Sequence, residues 1–249
     1  MHGNGDSVMA IIGDALSVLS LRATIHVTTM PGATVKLTHG GTTVTLTANA
    51  SGNCDLEVMV PDFGTWNLTA TSGNASGTAS VNVASVATTY NVTVTLVLWI
   101  IQSGNFASWT GHNRVGGGSG AYFSDQGSYV ELSTYQGGSL DYIAGYITPA
   151  VSFGYWKSLV IDSQEKGDKA YAGAASNNSS NPPSFSASKQ LVGKVETWDS
   201  RHTSTCDVSG VTGSKYIAIQ GKAWIEQYSQ AVWIGTGGNV RIWNMYLTG

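Results

Sequence analysis

Between Asp6 and about Leu21 the apolar positions recur at helical spacing. Met9, Ile12, Leu16 and Leu19 are separated by three, four and three residues, and Val8, Ile11, Ala15 and Val18 repeat the pattern one position earlier. Two adjoining rows of this kind make a wide apolar face with the period of an α-helix. Asp6 or Ser7 is placed to cap its start. So wide a face must be buried against its own chain, a second copy or a partner. Residues 1–22 are therefore expected to form a helical attachment or oligomerisation segment, with Met9, Ile12, Leu16 and Leu19 as its contacts.

From Ala23 to about Leu98 the period drops to two. Ile25 and Val27 alternate with Thr24, His26 and Thr28, and Val35-Lys36-Leu37-Thr38 leads into the turn signal His39-Gly40-Gly41. Further alternating runs follow at Thr42 to Thr47, Leu56 to Val60, Thr65 to Ala70, Thr78 to Val83 and Tyr90 to Leu98. About seven short strands with turns between them predict a β-sandwich over 23–98. Beyond residue 98 short strands continue, as at Tyr129-Val130-Glu131-Leu132, Ser158 to Ile161, Tyr216 to Ile219 and Val240 to Leu247. The polar run Ser176 to Ser184 holds Asn181-Pro182-Pro183 and reads as an exposed loop. About 150 residues with this spacing suit a jelly roll over 99–249. The expected class is all-β: a helical segment, an Ig-like or transthyretin-like sandwich, then a jelly roll.

Composition narrows the function. Of 249 residues only 11% are charged, and the net charge is -3. That balance lacks the basic field of a nucleic-acid binder, so no nucleic-acid partner is expected. No run of 18 apolar residues is free of charge, so no membrane insertion is expected. The start lacks the leading positive charge of a secretory signal. Low charge with much Gly, Ser and Thr suits an extracellular surface. A chain of that character without an export signal would reach the outside by lysis, which points to a phage particle. Cys54 and Cys206 fall in different expected domains and read as thiols, not as a disulfide.

Two resemblances add to this. Met30-Pro31-Gly32-Ala33-Thr34-Val35-Lys36-Leu37 and Val60-Pro61-Asp62-Phe63-Gly64-Thr65-Trp66-Asn67-Leu68-Thr69-Ala70 resemble the opening strands and the Gly-Thr-aromatic strand of carboxypeptidase-regulatory and transthyretin-like sandwiches. Such modules also occur in phage tail and fibre proteins, where they serve as spacers or surface modules. The ending Gly238 to Leu247 resembles the last strand of jelly-roll carbohydrate-binding modules and fibre tips. In those folds this strand is central and alternate residues point into the core. Val240, Ile242, Asn244 and Tyr246 form one row, and Arg241, Trp243, Met245 and Leu247 the other. Both rows hold apolar residues, so which one faces inward is open.

Catalytic signatures are missing from the sequence. His2, His26, His39, His112 and His202 are scattered without metal-ligand spacing. Arg114 to Gly120 lacks the Gly-Lys-Ser/Thr ending of a phosphate loop. Asp162, Glu165 and Asp168 sit in a mixed-charge stretch that reads as a hairpin tip, and Glu196 with Asp199 forms no placed acid–base pair. No enzyme activity, metal or cofactor is expected, and calcium binding is left open. Aromatics carry more. Seven of the eight Trp lie beyond residue 98, and a few on the surface would stack on sugar rings. Trp109 with His112 and Asn113, and Trp198 with Asp199 and Arg201, are the candidate glycan-binding residues; both groups lie in loop-like stretches. The leading expectation is a non-enzymatic tail or head fibre or appendage at the virion surface. It would be a homo-oligomer, commonly a trimer in such fibres, joined to other virion proteins through its N-terminus. Its distal domain would bind a cell-surface glycan. The alternatives are a bacterial surface or secreted carbohydrate-binding module and a purely structural coat or filament subunit.

Overall fold

The computed structural model describes residues 21–106, 109–111, 122–133, 139–147, 150–166, 171–177, 189–190, 200–224 and 239–249. Over 109–111, 122–125, 132–133, 139–147, 165–166, 171–177, 189–190, 218–224 and 239 it describes the backbone alone. The described residues are all-β apart from one turn of 3-10 helix at Val60–Asp62. The helix expected over Asp6 to Leu21 lies outside them but for its last residue, Leu21, which is in a turn. The chain divides into two compact units, Met1–Leu96 and Val97–Gly249.

The first unit has seven strands: β1 (Arg22–Thr28), β2 (Thr34–His39), β3 (Thr42–Thr47), β4 (Asn53–Met59), β5 (Gly64–Ser72), β6 (Ala75–Val83) and β7 (Thr89–Thr93). One sheet has the order β4-β1-β7, the other β3-β2-β5-β6. β1 runs antiparallel to β4 and parallel to β7. The two-residue period does what it predicts. Ile25 and Val27 of β1, Val35 and Leu37 of β2, and Trp66, Leu68 and Ala70 of β5 are buried, while their neighbours face out. Each fully buried Ile or Leu contributes about 1.5–3 kcal/mol. Between β2 and β3 the turn is Gly40-Gly41, with φ of 51° and 89°. Two successive positive φ angles define the hairpin turn whose twist matches the strands, and glycine adopts them without steric cost.

One expected strand is two. The alternation from Tyr90 to Leu98 is continuous, but the ladder is not: β7 ends at Thr93 and β8 (Val97–Gln102) belongs to the second unit. Val94 and Leu96 keep the apolar rhythm because both are fully buried. Val94 is tied to the end of β1 by its N–H to the Thr28 carbonyl (2.9 Å) and by its own carbonyl, which accepts from the Thr29 hydroxyl (2.7 Å).

In the second unit the strands after β8 are β9 (Asn105–Phe106), β10 (Trp109–Gly111), β11 (Tyr122–Asp125), β12 (Val130–Ser133), β13 (Ser139–Ile147), β14 (Val151–Phe153) and β15 (Ser158–Lys166). They continue with β16 (Tyr171–Asn177), β17 (Lys189–Gln190), β18 (His202–Asp207), β19 (Gly213–Trp224) and β20 (Asn239–Thr248). β20 is central in one sheet. One edge pairs along its length with β15, which pairs on with β18; the other pairs first with β12 and then with β8. The second sheet has the order β10-β13-β19-β16-β17, and β14 pairs with the start of β19. β19 and β16 lie against β20, so the two sheets stack. All these pairings are antiparallel, giving a sandwich of the jelly-roll-like kind.

β20 resolves the two competing rows by using both. Val240 and Ile242 are buried, and so are Met245 and Leu247. The switch is a β-bulge: Asp162 of β15 opposes Asn244, the next residue Ser163 opposes Ile242, and Trp243 is the extra residue. One added residue shifts the alternation by one, which moves the inward row from even to odd positions.

Candidate functional site

The bulge decides what the outward face of β20 presents. Arg241, Trp243, Asn244 and Tyr246 are all half-buried beside the buried inward rows. The strand register places partners for each. Glu131 lies opposite Arg241, Asp162 opposite Asn244, and Trp99 opposite Tyr246.

The polar groups form two ion pairs. Arg201, just before β18, reaches onto the neighbouring β15 and grips Asp162 with two hydrogen bonds, Nε to Oδ1 at 2.8 Å and a terminal nitrogen to Oδ2 at 2.5 Å. The Asn244 amide donates to the same Oδ2 (2.9 Å), and its oxygen accepts the Ser103 backbone N–H (3.0 Å). The Asp162 side chain is only 13% exposed. The hydrogen bond from Arg201 holds its carboxyl below the usual carboxylate range against the opposing effect of burial, with Asn244 adding to the shift. The same contact raises the Arg201 guanidinium. An acid held ionised in this way is not poised to donate a proton. In the second pair Arg241 Nε donates to Glu131 Oε2 (2.6 Å).

Aromatic rings lie between the pairs. The Arg201 guanidinium lies 4.6 Å from the Trp243 ring centroid, and that of Arg241 lies 4.9 Å from the Tyr129 ring. Tyr129 and Trp243 meet at 5.4 Å with an interplanar angle of 51°. Further along the face, Trp99 and Tyr246 meet at 4.7 Å. Tyr129 and Trp243 therefore sit side by side between two arginine planes, held by cation–π and tilted ring contacts. Each of the two guanidinium groups is met by a carboxylate.

Tyr129 is held by backbone contacts. Gly104, in the turn from β8 to β9, has a φ of 76°, and its N–H donates to the Trp243 carbonyl (2.9 Å). A Cβ on Gly104 would run into the backbone of Ser128 and Tyr129.

Of the residues expected from the sequence, Arg201 is brought to this face. Its guanidinium lies over the Trp243 ring. Trp198, Asp199, His112 and Asn113 lie outside the described residues. Trp109 has its backbone in strand β10, not in a loop. Asp162 and Glu165 are in the middle and later part of β15, not at a hairpin tip. Mixed charge marks a strand with one wet face as well as it marks a turn. Sequence reasoning missed Tyr129, Glu131, Trp243 and Asn244. The signal available was Arg241 and Trp243 alternating with Val240 and Ile242. The oligomerisation residues Met9, Ile12, Leu16 and Leu19 lie outside the described residues. Cys54 and Cys206 are free and half-buried, and burial raises both thiols, with Asp55 adding to the effect at Cys54. Among the described residues no cluster of His, Cys, Asp or Glu is arranged to hold a metal.

No family model matches the chain, and no curated protein does. Some solved structures are similar in part. A mutant of a carbohydrate-binding module of family 29 is 16% identical, with 62% of this chain and 92% of that chain covered and a TM-score of 0.39. A structure described as a carbohydrate-binding module from the β-sandwich superfamily is 11% identical, covering 86% and 84% at a TM-score of 0.34. A putative carbohydrate-binding protein from Bacteroides uniformis is 12% identical, covering 79% and 97% at 0.23. At such identities and scores these likenesses assign no function, which has to rest on the chain's own residues.

Proposed function

We propose that this chain is a non-enzymatic carbohydrate-binding protein, and that the outward face of β20 holds the glycan. The observation that carries this reading is the ring pair Tyr129 and Trp243 between Arg241 and Arg201, with Trp99 and Tyr246 beside it. Half-buried rings present flat apolar surface to the C–H face of a pyranose. Asp162, Asn244 and the exposed part of Arg201 supply acceptors and donors for its hydroxyls. Because both arginines are neutralised by their own carboxylates, the face favours a neutral glycan over a polyanion. Arg201 carries over from the expected site into this one; Trp198 and Trp109 are not needed by it. The same face would serve a bacterial surface or secreted module and a virion appendage alike. None of the three solved neighbours is described as a virion protein, and the trimer and virion partners have no described residue behind them.

Glycan-array screening followed by calorimetry tests this. Trp243→Ala should weaken binding about tenfold or more, equal to about 1.4 kcal/mol, with Trp243→Phe in between. Raising salt from low to moderate should change affinity little, since no charge-driven contact is being screened. Unchanged binding in both Trp243→Ala and Trp99→Ala would remove the proposed face. Release of reducing sugar would make the protein an enzyme instead.

A further inference from the structure

The first unit exposes large apolar side chains at one end. Leu21, Met59, Val60 and Val86 are 44%, 37%, 40% and 42% exposed. They are brought together by the backbone. The Val60 N–H donates to the Leu21 carbonyl (3.1 Å), Met59 lies opposite Arg22 in the β1–β4 ladder, and the Arg22 carbonyl accepts from Ala87, next to Val86. This is the end of the sandwich at which residues 1–20 join the chain. Those residues carry the two apolar rows read from the sequence, Val8-Ile11-Ala15-Val18 and Met9-Ile12-Leu16-Leu19.

We propose that the apolar rows of residues 8–19 cover the Leu21–Met59–Val60–Val86 patch of their own chain. Two features favour the chain's own segment over a second copy. The patch consists of four side chains, each less than half exposed, well short of the roughly 800 Å² per partner that a stable dimer buries. The segment is also tethered at Leu21, itself part of the patch, which gives it an effective concentration that a separate molecule does not have. An attachment role for the segment then requires it to leave this patch first.

Limited thermolysin proteolysis of the full chain, read by mass spectrometry, is the test. Val60→Asp combined with Val86→Asp should speed cleavage within 8–19 about tenfold, because cleavage follows the population of the undocked form. The wild-type rate should not change on hundredfold dilution, and light scattering should give one chain's mass. Equal rates in wild type and variant would overturn the proposal. So would protection that fades on dilution together with a multimeric mass, which would make a second copy the occupant. Ile12→Asp with Leu16→Asp leaves the sandwich untouched and gives an independent reading. It should raise the fluorescence of an apolar dye several-fold, and adding Val60→Asp and Val86→Asp should cancel the rise. No rise in the first of these variants would also overturn the proposal.

Discussion

The two units dress their outward sheet faces with the same kind of cross-strand pair and reach different results. On the β1–β4 face Arg22 meets Glu57 at 2.7 Å and His26 meets Asp55 at 2.5 Å, with the acid side chains 65% and 60% exposed. On the β20 face the acids Glu131 and Asp162 are 8% and 13% exposed, with their arginines 37% and 51% exposed. The difference lies in the residues between the pairs. In the first unit Thr24 lies between them, and both carboxylates are open to water. In the second, Tyr129, Trp243 and Asn244 do so, and rings exclude water from the carboxylates. Exposed pairs are worth about 0–1 kcal/mol, whereas a partner removed from a buried carboxylate costs about 3–5 kcal/mol. Identical chemistry makes a solvated wall in one place and a rigid, ring-bearing surface in the other.

The sharpest way to break this contrast is to delete one arginine from each face. Arg241→Ala should cost the second unit about 3 kcal/mol in denaturant unfolding, because the buried Glu131 carboxylate loses the Arg241 ion pair. Arg22→Ala should cost the first unit no more than about 1 kcal/mol. Equal losses would mean that burial does not distinguish the faces. Gly104→Ala comes next. It places a side chain at a φ of 76° against the Tyr129 backbone, and about 2 kcal/mol of lost stability is expected, with the near-ultraviolet signal of the Trp243 environment changed. Asp162→Asn is smaller, about 1 kcal/mol near pH 7, since Arg201 is half exposed and screened. Its sign on pH is fixed. The folded carboxyl lies below its unfolded value of about 3.9, so its contribution is complete above that value and fades as pH falls through the folded one. Wild type and Asp162→Asn should therefore converge in stability in strong acid. His26→Ala, on the solvated face, should move the unfolding midpoint least, within about 0.5 kcal/mol.

The alternation that exposes these faces was legible residue by residue. Ile25, Val35, Leu37 and Leu68 declare the first sandwich, and Gly40-Gly41 declares its hairpin, because burial and positive φ select residue types directly. Where two causes leave the same mark, the sequence is silent. Val94 and Leu96 are apolar because they are buried, and nothing in their identity says that the ladder has stopped. Arg241 to Leu247 is apolar on both rows because a bulge turns the strand over midway. The site was less legible still. Arg201, Asp162 and Trp243 come together only because β18, β15 and β20 pair in that order, and pairing order over 39 or more residues leaves no local signature. Loop-like surroundings point to Trp109 and Trp198, whereas the rings that meet the arginines stand on or beside strands.

The bulge at Trp243 also has a metric consequence. On a regular strand, side chains on one face are two residues apart, about 7 Å. The extra residue puts Trp243 and Asn244 on the same face as immediate neighbours. A flat ring and a hydrogen-bonding amide thus stand at about half the ordinary spacing, close enough to address one sugar ring from its face and its edge together. Deleting Trp243 would restore the strand's even pacing, leave the rows beyond it facing as they do, and remove the close pairing of ring and amide. A grip on a small cyclic ligand would in this way depend on the count of residues in β20 as much as on their identity.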